Sequence, residues 1–361
     1  MRSPIFQPHL SPNTSSGRRR PASLPLRLLA VLVFSCGAVP ATAQTDRVFP
    51  LTGSPTVGKI TDISPQAVIV ESSGGKQTLT VDKIRSIRFD GEPSTLTKGR
   101  EFALDGQYEQ ALEELSRIDF SAIRRDAIKA DAMFFLARSE AGMALIGRGN
   151  LGEATRKLSG FATANRQSIH FFGAAKLLGD LAIASGNFDQ ALRFYAALSQ
   201  SPAPDLKIEA EYLMANAKLR QGNAEEAEAG FAKVIAADVQ STAAARLQTL
   251  AKAGQAVTFA RQGKGQQGLE QVNSLITQLD PGDSEMAAQI YNAQGASFEA
   301  IDDAVGAVLA YLHTHLMFSG QAAAHAEALS RLVELWPQVG NPQRANEARQ
   351  ELQQRYPGWK K

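Results

Sequence analysis

The sequence predicts a mostly α-helical chain: an α-solenoid of about seven helical hairpins preceded by a small all-β, barrel-like module. Three observations carry that expectation. Short apolar alternations separated by turn residues fill Thr56 to Asp90. After Gly91-Glu92-Pro93-Ser94 the composition shifts to Ala, Leu, Glu, Gln, Lys and Arg, the strong helix formers, and stays there to the C-terminus. Within that helical stretch a glycine-centred turn recurs at near-constant spacing, as repeat architectures do. The expected division is a leader over 1–43, the β-module over 44–92 and the helical repeats over 93–361.

The leader carries Arg2, Arg18, Arg19, Arg20 and Arg27 and no acidic residue. An apolar run from Leu28 to Val39 follows, then Ala41-Thr42-Ala43, with small side chains where a signal peptidase reads. The run is shorter than the about 20 apolar residues of a membrane-spanning helix. Cleavage after Ala43 and export to the periplasm or cell envelope are therefore expected. Val33-Phe34-Ser35-Cys36 resembles a lipobox in its Val and Ser, which leaves lipidation of Cys36 as an alternative. Membrane attachment is expected only through that lipid or an uncleaved leader.

Cys36 is the single cysteine, which excludes an intrachain disulfide framework. The whole chain has 38 basic and 36 acidic residues, net +2; without the leader, 33 basic residues face 36 acidic ones, net −3. A mildly acidic surface offers no footprint for nucleic acid, where phosphate neutralisation dominates affinity.

In the β-module, Val68 and Val70 share one strand face, Leu79 and Val81 another, and Ile87 and Phe89 a third. Ser64-Pro65 and Ser72-Ser73-Gly74-Gly75 supply turns, the glycine pair allowing a tight hairpin. Four or five strands in so short a stretch predict a strongly bent sheet or barrel. Val57 to Phe89 resembles the small barrels of the Sm-like and SH3-like families by its apolar spacing. That resemblance implies RNA binding, yet no aromatics interleave with Lys or Arg here, and docking on the helices or a partner is the other expectation.

The clearest repeat turns are Gly106-Gln107-Tyr108-Glu109-Gln110-Ala111, Gly186-Asn187-Phe188-Asp189-Gln190-Ala191 and Gly222-Asn223-Ala224-Glu225-Glu226-Ala227. With Gly149, Gly263, Asp302 and Gly340 the turns are separated by 43, 37, 36, 41, 39 and 38 residues. These residues resemble the tetratricopeptide repeat, whose basic unit is about 34 residues. The resemblance implies a small residue seven before the turn, filled by Gly99, Gly142, Gly179 and Gly295. It implies a large apolar residue four before, filled by Phe102, Leu145, Phe259 and Phe298. Five after the turn come Ala111, Ala154, Ala191, Ala227, Ala307 and Ala345, and four later Leu115, Leu158, Tyr195, Phe231 and Tyr311. Asp280-Pro281 and Tyr356-Pro357 match the family's closing proline. The departures are the longer spacing, Gly268 in place of the small Ala, and Ala182 and Lys218 where an aromatic is expected. Neither apolar face of a hairpin can be buried by that hairpin alone, so stacking must supply the core.

In such a stack the first helix of each hairpin lines a concave face. Side chains six and ten before the turns project there, naming Lys176, Asp180, Tyr212, Asn216 and Asn292 as a protein-binding groove. Some relatives clamp a terminal carboxylate with Lys and Asn; here Asp180 follows Lys176, and Tyr212 stands where Lys would be.

Catalytic patterns are missing. His313 and His315 lie two apart and diverge on a helix, with His325 ten further on, so no metal site is expected. Asp302-Asp303 reads as a turn cap. Gly263-Lys264-Gly265 follows a helix and lacks the phosphate-loop ending, and there is no G-x-S-x-G. The expected function is an exported, non-enzymatic scaffold without cofactor, binding protein partners of the cell envelope. The alternatives are a lipid-anchored envelope-assembly component like the repeat-bearing outer-membrane lipoproteins, and RNA binding through the β-module.

Overall fold

The computed structural model describes residues 45–280, 282–357 and 359. The expected leader with Cys36, and Pro281, lie outside the described residues.

Five antiparallel strands come first: β1 Asp46–Pro50, β2 Thr56–Ile63, β3 Ala67–Ser72, β4 Gly75–Thr80 and β5 Ile84–Arg88, in spatial order β4-β3-β2-β1-β5. A bulge between Ile60 and Asp62 shifts the β2–β3 register, and bulges of this kind bend a sheet. The strand β1 escapes the pattern reading because its first residue is charged and its last is proline. Its place is set from far along the chain. The Asp46 carboxylate, wholly buried, accepts two bonds from Arg125, at 2.8 and 3.0 Å, and one each from the backbone N–H groups of Ile60 and Asp90.

Val48, Val68, Val70, Ile87 and Phe89 are buried in one continuous core with Leu96, Ala103, Leu115 and Phe135 of the first helices. The sheet is therefore docked on the helices, one of the two expectations for it.

Among the described residues fourteen helices follow. The first four hairpins are α1 Ser94–Leu104 with α2 Tyr108–Leu115, α3 Asp126–Leu145 with α4 Leu151–Ala164, α5 Phe171–Ala184 with α6 Phe188–Leu198, and α7 Pro204–Gln221 with α8 Ala224–Ile235. The last three are α9 Thr242–Arg261 with α10 Gly265–Ile276, α11 Ser284–Glu299 with α12 Ala304–Met317, and α13 Ala322–Leu335 with α14 Pro342–Arg355. Each helix packs on the next, and first helices lean on first helices: α1 on α3, α3 on α5, α7 on α9, α9 on α11 and α11 on α13. Several local cores replace a single centre, as a quasi-one-dimensional stack requires.

The turns follow from backbone sterics. Gly106, Gly186, Gly222, Gly263 and Gly340 lie at φ between 74° and 96°, left-handed values that only glycine adopts without cost. Asp302 takes the same place at φ 59°, and Asp303 caps α12 by accepting from the Gly306 N–H at 2.8 Å. Asp302→Gly is expected to raise stability by roughly 1 kcal/mol by removing the left-handed strain; a urea midpoint that does not rise would contradict this.

The second hairpin differs from expectation. It turns at Gly147, φ 78°, two residues before Gly149. Gly149 is instead pressed on the end of α3, where an added methyl would lie 2.9 Å from the Ala144 nitrogen.

The small and large positions interlock. A methyl at Gly99 would lie 2.5 Å from Leu115 Cγ, one at Gly295 2.6 Å from the Tyr311 ring, and one at Gly179 inside the Tyr195 ring. Tyr108 fills the corresponding space over Gly142 of the next hairpin, and Phe231 the space over Gly254. Ala111, Ala154, Ala191, Ala227, Ala307 and Ala345 are all buried, as are Leu158, Tyr195, Phe231 and Tyr311. Phe188 and Phe298 are half-buried, the latter against Gly306. Pro357 lies beyond α14 against the Gly147 turn, so the tail of the last hairpin returns to the second.

Candidate functional site: the concave face of the first helices

Lys176 and Asp180 stand one turn apart on α5. Lys176 pairs with Glu209 of α7, and 41% of its side chain remains exposed. Asp180 accepts from the Tyr195 hydroxyl at 2.7 Å. Burial pushes the Asp180 carboxyl up despite the Lys176 charge. Burial would depress Lys176, but the Glu209 and Asp180 carboxylates outweigh it and raise the ammonium above its ordinary value. The α5–α7 approach is thus bridged by charge beside small apolar contacts, Ala175 with Ala210 and Ala182 with Ala217.

Asn216 is half-buried and donates to the Tyr212 carbonyl at 3.1 Å. Tyr212 and Asn292 depart from the open groove expected for them. Tyr212 is 8% exposed and its hydroxyl donates to Gln289 of α11 at 2.9 Å, burial pushing it up to about 12. Asn292 is 5% exposed and its amide donates to the Ala324 carbonyl at 2.9 Å, tying α11 to α13. The cause is curvature: α7 and α11, of non-adjacent hairpins, come close enough for Tyr212 to reach Gln289, and α11 lies close enough to the next first helix, α13, for Asn292 to reach its backbone. The partly exposed part of the face is therefore centred on Lys176, Asp180, Glu209 and Asn216. Glu209 and Gln289 lie one helical turn before Tyr212 and Asn292, so extending the projection to thirteen before each turn finds them.

Both rims of this face are furnished. At the start of α7, Lys83, in the short turn between β4 and β5, bridges Asp82 and Asp205 at 3.4 Å each. There a cleft of about 370 Å³ is lined by Gln66, Thr80, Pro204 and Ser241 among others. At the end of α7, the Arg220 guanidinium sits 5.9 Å from the Trp359 ring of the tail.

A second polar cluster is closed. Arg100 of α1 binds Glu92 through two nitrogens at 2.9 and 2.7 Å and Asp131 of α3 through two at 3.0 and 2.7 Å, all three side chains being at most 3% exposed. His170 approaches the other Asp131 oxygen at 2.8 Å and stacks on Phe134. Burial would raise the Asp131 carboxyl, but the Arg100 charge and the His170 bond hold it below the usual range. Every carboxylate oxygen has a partner, so the cluster staples the sheet's exit to the first two hairpins and leaves no base or nucleophile free. Sequence reading missed it because its members are 8 to 78 residues apart and none sits in a motif.

Asp46 is held low in the same way, Arg125 and the two backbone donors overcoming its burial. Both carboxylates contribute stability that is fully present above their unfolded values near 4 and is lost as pH falls toward the lower folded values. The melting temperature is expected to drop on acidification below about pH 4, and less so in Asp46→Asn.

The fold and this face define an α-solenoid of helical hairpins with a docked antiparallel sheet. Residues 182–251 match the tetratricopeptide repeat family. No curated protein matches the sequence. Among solved structures the chain is similar to a Rap protein complexed with competence and sporulation factor, at 13% identity over 74% of this chain and 76% of that one, with a TM-score of 0.53. It is also similar to a tetratricopeptide repeat protein from Parabacteroides merdae ATCC 43184, at 16% identity over 73% and 92%, TM-score 0.49. Among the described residues no helix is long and apolar enough to cross a membrane.

Proposed function

We propose that the chain is an exported, non-enzymatic scaffold that holds a segment of a cell-envelope protein on its concave face, after removal of the leader behind Ala43. The observation that carries this reading is the partly exposed Lys176–Asp180–Glu209 group on the inner wall of stacked first helices. Rigid hairpins present it without further ordering, which spares part of the entropy of binding. The pairing of these charges with one another supports binding rather than catalysis. The Rap protein was solved with competence and sporulation factor, which supports a bound partner by likeness of fold alone.

The basic leader with its apolar run and Ala-x-Ala end supports export. Amino-terminal sequencing of the protein from its own cells is expected to begin at Gln44; a lipidated Cys36 at the terminus would replace free export by anchoring.

For the face itself, envelope extract is passed over the immobilised wild type, Lys176→Glu, and Glu347→Lys on the outer helix α14. A partner retained by the wild type and Glu347→Lys but weakened at least about tenfold by Lys176→Glu is expected, the loss of a charged interfacial contact. Equal retention by all three would overturn the assignment to the concave face.

A further inference from the structure

The last two hairpins bring together three side chains that sequence spacing keeps apart. His315 of α12 and His325 of α13 face each other, Nδ1 to Nε2, at 2.8 Å. Glu351 of α14 lies behind them, one oxygen 3.8 Å from His325 Nε2 and the other 3.9 Å from His315 Nε2. One ligand atom from each of the three falls within 4.8 Å of the others. His313, two residues before His315, turns away and stacks on Tyr291 with ring centroids 4.0 Å apart, so the H-x-H pair itself is no clip, as its helical spacing implies.

The geometry points to a divalent transition-metal site of the zinc class at His315, His325 and Glu351. Two imidazoles and a carboxylate from three helices suit zinc and leave a fourth position for water. The orienting partner is in place. His325 is fully buried, and its far nitrogen lies 2.8 Å from the Tyr356 hydroxyl. With Nδ1–H donated to that oxygen, Nε2 presents its lone pair to the ion, the usual outer-shell arrangement of a metal-bound histidine. Arg355 holds Glu351 through Oε1 at 3.0 Å, and Oε2 remains on the side of His315.

The site has a structural reason to exist. From its own span α14 buries only Ala345 and Ala348, so the terminal helix is weakly anchored by apolar contact. An ion shared by α12, α13 and α14 would pin it, because binding to the folded form alone stabilises that form.

The test is equilibrium dialysis of the full chain against zinc chloride, with thermal melts in parallel. His315 and Glu351 are partly exposed, 23% and 34%, so His315→Ala and Glu351→Gln are expected to fold; matching circular dichroism checks this. The wild type and His313→Ala are expected to bind about one zinc per chain and to melt higher with zinc. His315→Ala and Glu351→Gln are each expected to weaken binding more than about tenfold and to lose the zinc-dependent rise. A wild type that binds no zinc, or a site that survives either ligand substitution, would overturn the proposal.

Discussion

Arg100→Leu is expected to be the most destabilising single change in the helical region, at about 3–5 kcal/mol. The substitution removes the one cation between Glu92 and Asp131, each only 2% exposed, and strands two buried carboxylates. The pH dependence separates this cause from lost packing. Without the guanidinium that holds it low, the buried Asp131 carboxyl rises, so the deficit is largest at neutral pH and shrinks as acid neutralises it. Arg100→Lys keeps the charge but loses the two-sided fork, and should fall between variant and wild type. Urea midpoints at neutral and acid pH measure all of this; a deficit independent of pH would assign the loss to packing instead.

Gly179→Ala is the second. A β-carbon there enters the space of the Tyr195 ring, so α5 and α6 must separate or the ring must leave its rotamer, at a cost of about 1–3 kcal/mol. Tyr195→Leu alone costs packing and the bond to Asp180. Combined, the two changes should be less damaging than their sum, with a coupling of about 0.5–3 kcal/mol. Because Asp180 follows Gly179 directly, the same single variant should also weaken partner capture. Strictly additive effects would mean that the glycine is not where the two helices of the third hairpin meet.

These two cases mark what the sequence makes legible and what it does not. The Gly179–Tyr195 contact can be read in advance, because a small residue and a large one recur at fixed distances from a turn. The turns themselves can be read because a left-handed φ selects for glycine locally. Gly147 against Gly149 shows the limit of that logic: both glycines satisfy the local rule, and the tight approach to α3 decides between them. Arg100 shows the larger gap. Its partners come from a strand exit and the next hairpin, with His170 behind Asp131 from the start of a third, and no periodicity announces them. The strand at Asp46 is hidden for the same reason, since a charged first residue is tolerable only once Arg125 arrives from the helical region. Tyr212 and Asn292 were legible as inward-facing, but their burial depends on how sharply the stack curves, a property of the whole row. His315, His325 and Glu351 likewise meet only after three helices have packed.

The central claim is that stacked first helices form the working surface. Hydrogen–deuterium exchange on the protein with and without its captured partner tests it most directly. Added protection in α5 and α7, around Lys176 to Asp180 and Glu209 to Asn216, is the predicted result. Protection confined to the second helices α6, α8 and α10, or to the sheet, would contradict it.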